Sequence, residues 1–335
     1  MIHDIKYMIG KGNDPYYNLA LEEYLLNHIK EEECILYLWQ NEKTVVIGRN
    51  QNAHKECKIR ELEEDGGNFV RRLSGGGAVF HDLGNLNFTF LVKKEDYDVN
   101  KQLEVILKAV NSFSIPAEKS GRNDITVHDK KFSGNAFYES NGNCYHHGTL
   151  LVNVDKEKLS YYLNVSNDKL VAKGVESVKS RVTNLTEYSK TLTISSLQDS
   201  LIEAFSEVYE CVARKYQDTI DENEIKKLID KFSSWDFKYG KRLEGNYTLS
   251  KRFPWGGLDL VFHIDRGMIK DCVIFSDTLD TNLTKVIETC LKGQVFNSKE
   301  MINALASLEC VESDTYYKIM DVSSFINEEG MNYGI

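Results

Sequence analysis

Apolar and polar positions alternate in short runs near the start of the chain. Residues 3–9 read as a strand, and residues 35–39 and 44–47 read as two more, joined by the polar turn Asn41-Glu42-Lys43. Between them, Asp14-Pro15 offers a capping side chain followed by proline at the first helical position. Leu19, Leu21, Tyr24, Leu25 and Ile29 then recur at roughly helical spacing. Residues 52–65 predict a helix stopped by Gly66-Gly67. A short β-rich run at 88–92 is followed by a helical period over 100–113, carried by Leu103, Ile106, Leu107 and Val110. Residues 124–128 and 131–138 predict a hairpin about Asp129-Lys130, and 145–154 a further strand after Asn141-Gly142-Asn143. Helices are expected over 195–214 and 222–232.

The polar segment 238–251, with Gly240 and Gly245, marks a domain boundary. Beyond it come a hairpin, 257–265 and 268–277, about Arg266-Gly267, then helices over 281–291 and 298–308. No tandem repeat is present. The expectation is an α/β, mixed-sheet (α+β) protein with a catalytic domain over 1–246 and a small α/β domain over 249–335.

Composition narrows the function without naming it. The chain has 335 residues, enough for about two domains. Its 41% hydrophobic and 27% charged content is that of a soluble globular protein. No run approaches the ~18 apolar residues of a membrane span, and the N-terminus carries no secretory pattern. No membrane association and a cytoplasmic location are therefore expected. The net charge of -10 weighs against nucleic-acid binding, yet leaves room for a local anion pocket. The 7 cysteines are scattered with no C-x-x-C spacing, so neither a zinc site nor a redox dithiol is signalled. Reduced core thiols are the expectation.

Four segments concentrate the chemistry. In the first, Arg71-Arg72-Leu73-Ser74 leads into Gly75-Gly76-Gly77 and Ala78-Val79-Phe80-His81, ending near Asn85. Three glycines are costly to order, and a chain tends to keep them where a ligand approaches the backbone closely. Their bare N–H groups can face an anion, and the arginines add forked donors. An irregular turn beside a surface arginine pair is the alternative. Neither a P-loop nor a Rossmann fingerprint is present. The second segment holds Asn123-Asp124 and Lys130-Lys131-Phe132-Ser133-Gly134. A hairpin there brings Asp124 near the Lys131 strand, whose ammonium could bridge a carboxylate and a phosphate; a surface lysine at a turn is the alternative. In the third, His146 and His147 are adjacent in a strand, so they point to opposite faces and at most one meets a pocket. The fourth, residues 173–185, is a loop with cations at Lys173, Lys179 and Arg181. In an acidic chain, so many cations in glycine-bearing loops suggest an anionic ligand with several phosphates or carboxylates.

Read in order, these pieces resemble the lipoate–protein ligase A family of the biotin/lipoate ligase superfamily. The resemblance runs almost end to end: Gly48-Arg49-Asn50-Gln51-Asn52, the run at 71–85, Asn123-Asp124, Lys131-x-Ser-Gly at 131–134, His-His-Gly-Thr-Leu-Leu at 146–151, and Lys-Gly-x-x-Ser-Val-x-Ser-Arg-Val-Thr-Asn-Leu at 173–185. Arg252-Phe253-x-Trp255-Gly256-Gly257 resembles the start of the family's small C-terminal domain.

The resemblance implies a biotin/lipoate-ligase-like catalytic domain and a two-step reaction. Lipoate and ATP, with Mg²⁺, give lipoyl-AMP and pyrophosphate; a lysine of a lipoyl domain then takes the acyl group. It implies that Lys131 lies between the lipoate carboxylate and the α-phosphate, screening their repulsion. It places Arg71, Ser74, Gly75, Gly76, Gly77, Ala78 and His147 on lipoate or lipoyl-AMP. It places Val79, Phe80, Asn85, Asn123, Asp124, Lys131, Lys173, Ser177, Lys179 and Arg181 on the adenylate, with Asp124 orienting Lys131 or holding Mg²⁺. Val79, Phe80 and Phe137 would also serve as apolar walls. The implied acceptors are lipoyl domains of 2-oxoacid dehydrogenase acyltransferase subunits or the glycine-cleavage H protein, served by a monomer. Tyr138 departs from the pattern, standing where some relatives are expected to carry a basic residue. The alternatives are an octanoyltransferase of the same superfamily, which works through a catalytic cysteine without ATP, and a non-catalytic lipoate-binding module. No cysteine lies in Ser120-Gly121-Arg122-Asn123, where the transferases are expected to carry it.

Overall fold

The computed structural model describes residues 2–121, 123–164, 182–240, 244–308 and 312–333. They form two compact units. The first takes Met1–Ile47, His54–Arg72 and Ala78–Lys238; the second takes Gly48–Ala53, Leu73–Gly77 and Tyr239–Ile335.

In the first unit, Asp14 caps the first helix as its sequence predicts. Its carboxylate accepts the Tyr16 N–H at 2.9 Å, and Pro15 opens α1 (Pro15–His28). The helix is buried on most sides, and its buried positions include the polar Asn18 and Glu22. A helix enclosed in this way has no single apolar stripe, which explains its irregular period.

The main sheet has eight strands: β1 (Asp4–Ile9), β2 (Glu33–Trp39), β6 (Asn85–Lys93), β7 (Glu118–Ser120), β8 (Asp124–Val127), β9 (Lys130–Ser140), β10 (Asn143–Leu151) and β11 (Arg214–Lys215). Their order is β11-β1-β2-β6-β10-β9-β8-β7. β1 runs parallel to β2 and β11, and the other pairs are antiparallel, so the sheet is mixed as expected. A smaller sheet sets β3 (Thr44–Ile47) between β4 (Asn68–Arg71) and β5 (Val79–His81). The main core closes where Leu36, Phe88 and Phe90 of the sheet meet Ile106 of α4 (Val99–Asn111) and Leu201 and Phe205 of α6 (Ile194–Tyr209). α7 (Glu222–Ser233) packs along α1 and is followed by the short α8 (Trp235–Tyr239).

The helix expected over 52–65 is two helices, α2 (Ala53–Glu56) and α3 (Ile59–Glu64). Between them Cys57 bridges to Leu163, and Lys58 N–H donates to the Tyr162 carbonyl at the end of α5 (Lys156–Tyr162). Those pairings demand extended backbone, so the helix breaks there. The hairpin turn is also one residue earlier than its sequence suggests. His128 and Asp129 carry φ of 48° and 62°, and Val127 pairs with Lys130. Two left-handed residues make the turn that matches the twist of the strands.

The second unit is an antiparallel sheet, β12 (Tyr247–Phe253), β13 (Gly256–Asp265) and β14 (Met268–Ser276), in that order. The β13–β14 turn at Arg266-Gly267 is as expected, with φ of 50° and 75°. Leu260, Phe262 and Ile274 pack with α9 (Leu283–Leu291), α10 (Ser298–Ala306) and α11 (Ser313–Tyr333). The sequence pattern missed α11. Tyr316, Tyr317 and Met320 are exposed on it, so its large apolar residues do not trace one face. Among the described residues, no helix is long and apolar enough to cross a membrane.

Candidate active site

Lys131 and Asp124 meet. The ammonium lies 2.7 Å from Asp124 Oδ1, with the two side chains 35% and 24% exposed, so the pair is sheltered but open to a ligand. Three local features aim the lysine. Lys131 pairs with Thr126 but Ser133 pairs with Ile125, which leaves Phe132 as the extra residue of a β-bulge. Phe132 is fully buried, so the bulge is anchored in the core. Next, Gly134 makes room, since a Cβ there would stand 2.8 Å from Lys131 Nζ and 3.0 Å from its Cε. Finally, the Lys131 carbonyl accepts the Thr183 N–H at 2.9 Å, which fixes the backbone beneath the amine. A protonated amine held beside one carboxylate and partly open is equipped to receive a second anion.

His146 and His147 point to opposite faces, as strand geometry requires. His146 is enclosed by the rings of Phe88, Phe90 and Phe137. His147 Nδ1 lies 2.8 Å from Glu22 Oε1, which also accepts the Thr89 hydroxyl at 2.7 Å. Thr89 in turn accepts the Trp39 indole N–H at 3.1 Å. This chain of contacts ties α1, β2, β6 and β10 together around one buried carboxylate. Glu22 escaped the sequence reading; an acid in step with the apolar positions of α1, followed by the second acid Glu23, is the signal that could have found it. Arg72, also buried, is close enough to Glu22 to feel its charge, and burial lowers its pKa to about 10. It stays cationic at neutral pH.

Arg71 is placed differently from a residue that only lines a pocket. Its Nε donates to the carbonyls of Phe237 and Lys238 at 3.0 and 3.1 Å, and Nη2 donates to Lys238 O at 2.9 Å. It therefore serves the carbonyl end of α8. Val79 and Phe80 lie in β5; Phe80 is buried with its ring 5.4 Å from that of Tyr162. Asn85 is buried at the start of β6, and its Nδ2 donates to Asn87 Oδ1 at 2.9 Å. Asn123 Nδ2 donates to the Asn135 carbonyl at 3.0 Å. The Tyr138 ring lies tilted against that of Tyr145, with centroids 5.4 Å apart. Lys173, Ser177, Lys179 and Arg181 lie outside the described residues.

Within the second unit the three glycines separate by cause. A Cβ on Gly75 would meet the Thr278 carbonyl oxygen at 2.3 Å, so backbone packing excludes any side chain there. Gly76 has φ +89°, which L-residues rarely adopt, and its N–H donates to Thr278 O at 3.0 Å. Gly77 has neither reason, since nothing lies within 4 Å of its Cβ position. Ser74 joins the same frame, its carbonyl accepting the Arg49 N–H at 2.9 Å.

The first unit is thus a mixed-sheet domain presenting a carboxylate-paired lysine, and the second is a small α/β domain. Residues 14–206 match the family model of the lipoyl protein ligase A/B catalytic domain, and residues 243–326 match that of the bacterial lipoate protein ligase C-terminus. The chain is 39% identical over 324 residues to a lipoate-protein ligase A of Psychrobacter cryohalolentis, covering 93% of this chain and 95% of the relative. It is similar to the crystal structure of P. falciparum LipL1 in complex with lipoate, with a TM-score of 0.84 and 33% identity, covering 97% of this chain and all of that one. It is also similar to a lipoate-protein ligase A crystallised with ATP, with a TM-score of 0.62 and 26% identity over 72% of this chain and 99% of that one. The chain belongs to the lipoate–protein ligase family.

Proposed function

We propose that this protein joins lipoate to ATP, forming lipoyl-AMP and pyrophosphate, and then passes the lipoyl group to a lysine of an acceptor lipoyl domain. The observation that carries the reading is the Lys131–Asp124 pair on its bulged, glycine-spaced strand. In the first step a carboxylate must approach a phosphate, two anions that repel. Lys131 lies between them, screens the repulsion, and stabilises charge on the α-phosphate as pyrophosphate leaves. Asp124 holds the amine in place. The ATP-bound and lipoate-bound relatives support both substrates.

In this reading Gly77 and Ala78, with Ser74, Gly75, Gly76 and Arg71, border lipoyl-AMP, and His147 lines the acyl pocket with Glu22 behind it. Val79, Phe80, Asn85, Asn123, Lys173, Ser177, Lys179 and Arg181 serve the nucleotide. Asp124 also fits a phosphate-bound Mg²⁺: only Oδ1 is engaged with Lys131, and Oδ2 has no hydrogen bond or ion pair among the described residues. One carboxylate oxygen beside substrate phosphates suffices for this ion, which would neutralise phosphate charge. The acceptors are lipoyl domains of 2-oxoacid dehydrogenases or the glycine-cleavage H protein. The enzyme acts as a cytoplasmic monomer; its buried thiols at Cys34, Cys57, Cys144 and Cys272 suit a reducing compartment.

Covalent transfer through Cys144 is disfavoured. The residue is buried, and desolvation, aided by Glu139, raises its thiol to a pKa of about 11.

Purified protein should exchange labelled pyrophosphate into ATP only when lipoate is present. Lys131→Ala should slow that exchange by ~10²–10³-fold, the usual loss for one charge-stabilising donor. ATP-independent acyl transfer without exchange would move the assignment to an octanoyltransferase.

A further inference from the structure

Behind the lysine pair lies a buried amide cluster that the scheme above does not use. The β8–β9 ladder ends at the pair Asp124–Gly134. One residue further, Asn123 and Asn135 continue it with side chains. The Asn135 N–H and Nδ2 both donate to the Asn123 carbonyl, at 2.8 and 3.0 Å, and Asn123 Nδ2 donates back to the Asn135 carbonyl at 3.0 Å. Asn135 is buried, and its Oδ1 lies 2.8 Å from His146 Nε2. Because Nδ2 can only donate to the Asn123 carbonyl, Oδ1 is the end that faces the ring, and His146 must carry its proton on Nε2. The lone pair on Nδ1 then calls for a donor. Gln102 Oε1 stands 3.1 Å from Nδ1, and turning that amide over, an exchange its near-symmetric shape allows, supplies the nitrogen donor.

We propose that Asn135 is a positioning residue for nucleotide binding: braced by His146 and Gln102, it clamps Asn123 and so fixes the Asn123-Asp124 turn against the strand that carries Lys131. The bulge at Phe132 is the reason a clamp is needed. An extra residue between Lys131 and Gly134 loosens the register that sets the Lys131–Asp124 distance. The reciprocal amide pair restores it one residue beyond Asp124. This rests on the reading, given above, that Asn123 faces the nucleotide.

The test measures KM for ATP and for lipoate separately in pyrophosphate exchange. Asn135→Ala should raise KM for ATP about tenfold while KM for lipoate stays within about twofold. Combined with Asn123→Ala the effect should fall short of the product of the two single effects, because the two side chains make separate hydrogen bonds that brace the same turn. His146→Leu should reproduce the Asn135→Ala effect. His146→Gln, which can place a donor where Nε2 stands, should restore KM for ATP; this pair decides the matter if Asn135→Ala does not fold. Unchanged KM for ATP in Asn135→Ala, equal shifts in both constants, or effects that multiply with Asn123→Ala would overturn the proposal. If Asn123→Ala raises KM for ATP and Asn135→Ala does not, this inference alone falls. If Asn123→Ala itself has no effect, the placement of Asn123 at the nucleotide fails, and the clamp loses its role with it.

Discussion

Gly134 shows how a single hydrogen can decide where a charge sits. A methyl group there would press on the free end of Lys131, a flexible chain, rather than on backbone. Gly134→Ala should therefore spare the fold and move the amine. The expected result is a ~10–10²-fold slower lipoate-dependent exchange, since ~1 Å of misplacement can cost that much, with a melting temperature close to wild type. Unaltered exchange would mean that the amine has room to relocate without loss. At this scale the sequence displayed the motif but not its wiring. Lys131 and Asp124 were legible because hairpin geometry brings them together. Glu22, Asn135 and the bulge at Phe132 were not, because a buried polar residue is recognisable only through its partners. Arg71 was legible as a cation, yet its partners, the carbonyls of Phe237 and Lys238, lie more than 160 residues away in the chain.

Among the elements, α1 illustrates where periodicity fails. Its start was readable from Asp14-Pro15, a local signal. Its packing was not, because Asn18 is buried inside a polar knot: Nδ2 donates to the Gln40 carbonyl at 2.8 Å and to Asn41 Oδ1 at 3.0 Å, while Oδ1 accepts the Tyr37 hydroxyl at 3.1 Å. That knot pins the helix to the connection between β2 and β3. Asn18→Leu keeps the volume but strands these partners. It should destabilise the first unit by ~3 kcal/mol or more, read as a lower urea midpoint at unchanged slope. A loss under ~1 kcal/mol would show that water reaches the knot. The helix expected over 52–65 broke for a related reason: pairing with Leu163, distant in sequence, overrode a local helical pattern.

For the whole molecule, two histidines set an acid limit. His81 and His146 are buried, and desolvation, with nearby charge adding to it, lowers each pKa to about 3. The unfolded value is ~6.5, so above it neither state binds the proton and the contribution vanishes. Below it the unfolded chain takes up protons that the fold refuses, and stability declines as the pH drops toward about 3. Each histidine removes up to ~1.4 kcal/mol per pH unit in that window. Urea midpoints measured from about pH 7 down to about pH 5 should fall, and His146→Gln should flatten the decline. A flat wild-type profile would mean that the rings are protonated in the fold. Most strands of the main sheet and the β13–β14 hairpin were legible from strand runs and turn residues, whereas most of β12 falls in the polar segment read as a boundary. That Gly48–Ala53 and Leu73–Gly77 cluster with the C-terminal unit was not, because short loops carry no period to read.

That grouping changes how defects in the triple-glycine turn ought to be diagnosed. A dead enzyme with alanine at Gly75 would testify to a collision with Thr278, and one altered at Gly76 to a forbidden backbone angle; neither result would say anything about a missing substrate contact. Gly77 has an open Cβ position, so under the proposed placement of lipoyl-AMP it is the vantage point from which loss of turnover would report on the molecule being handled rather than on the hand that holds it.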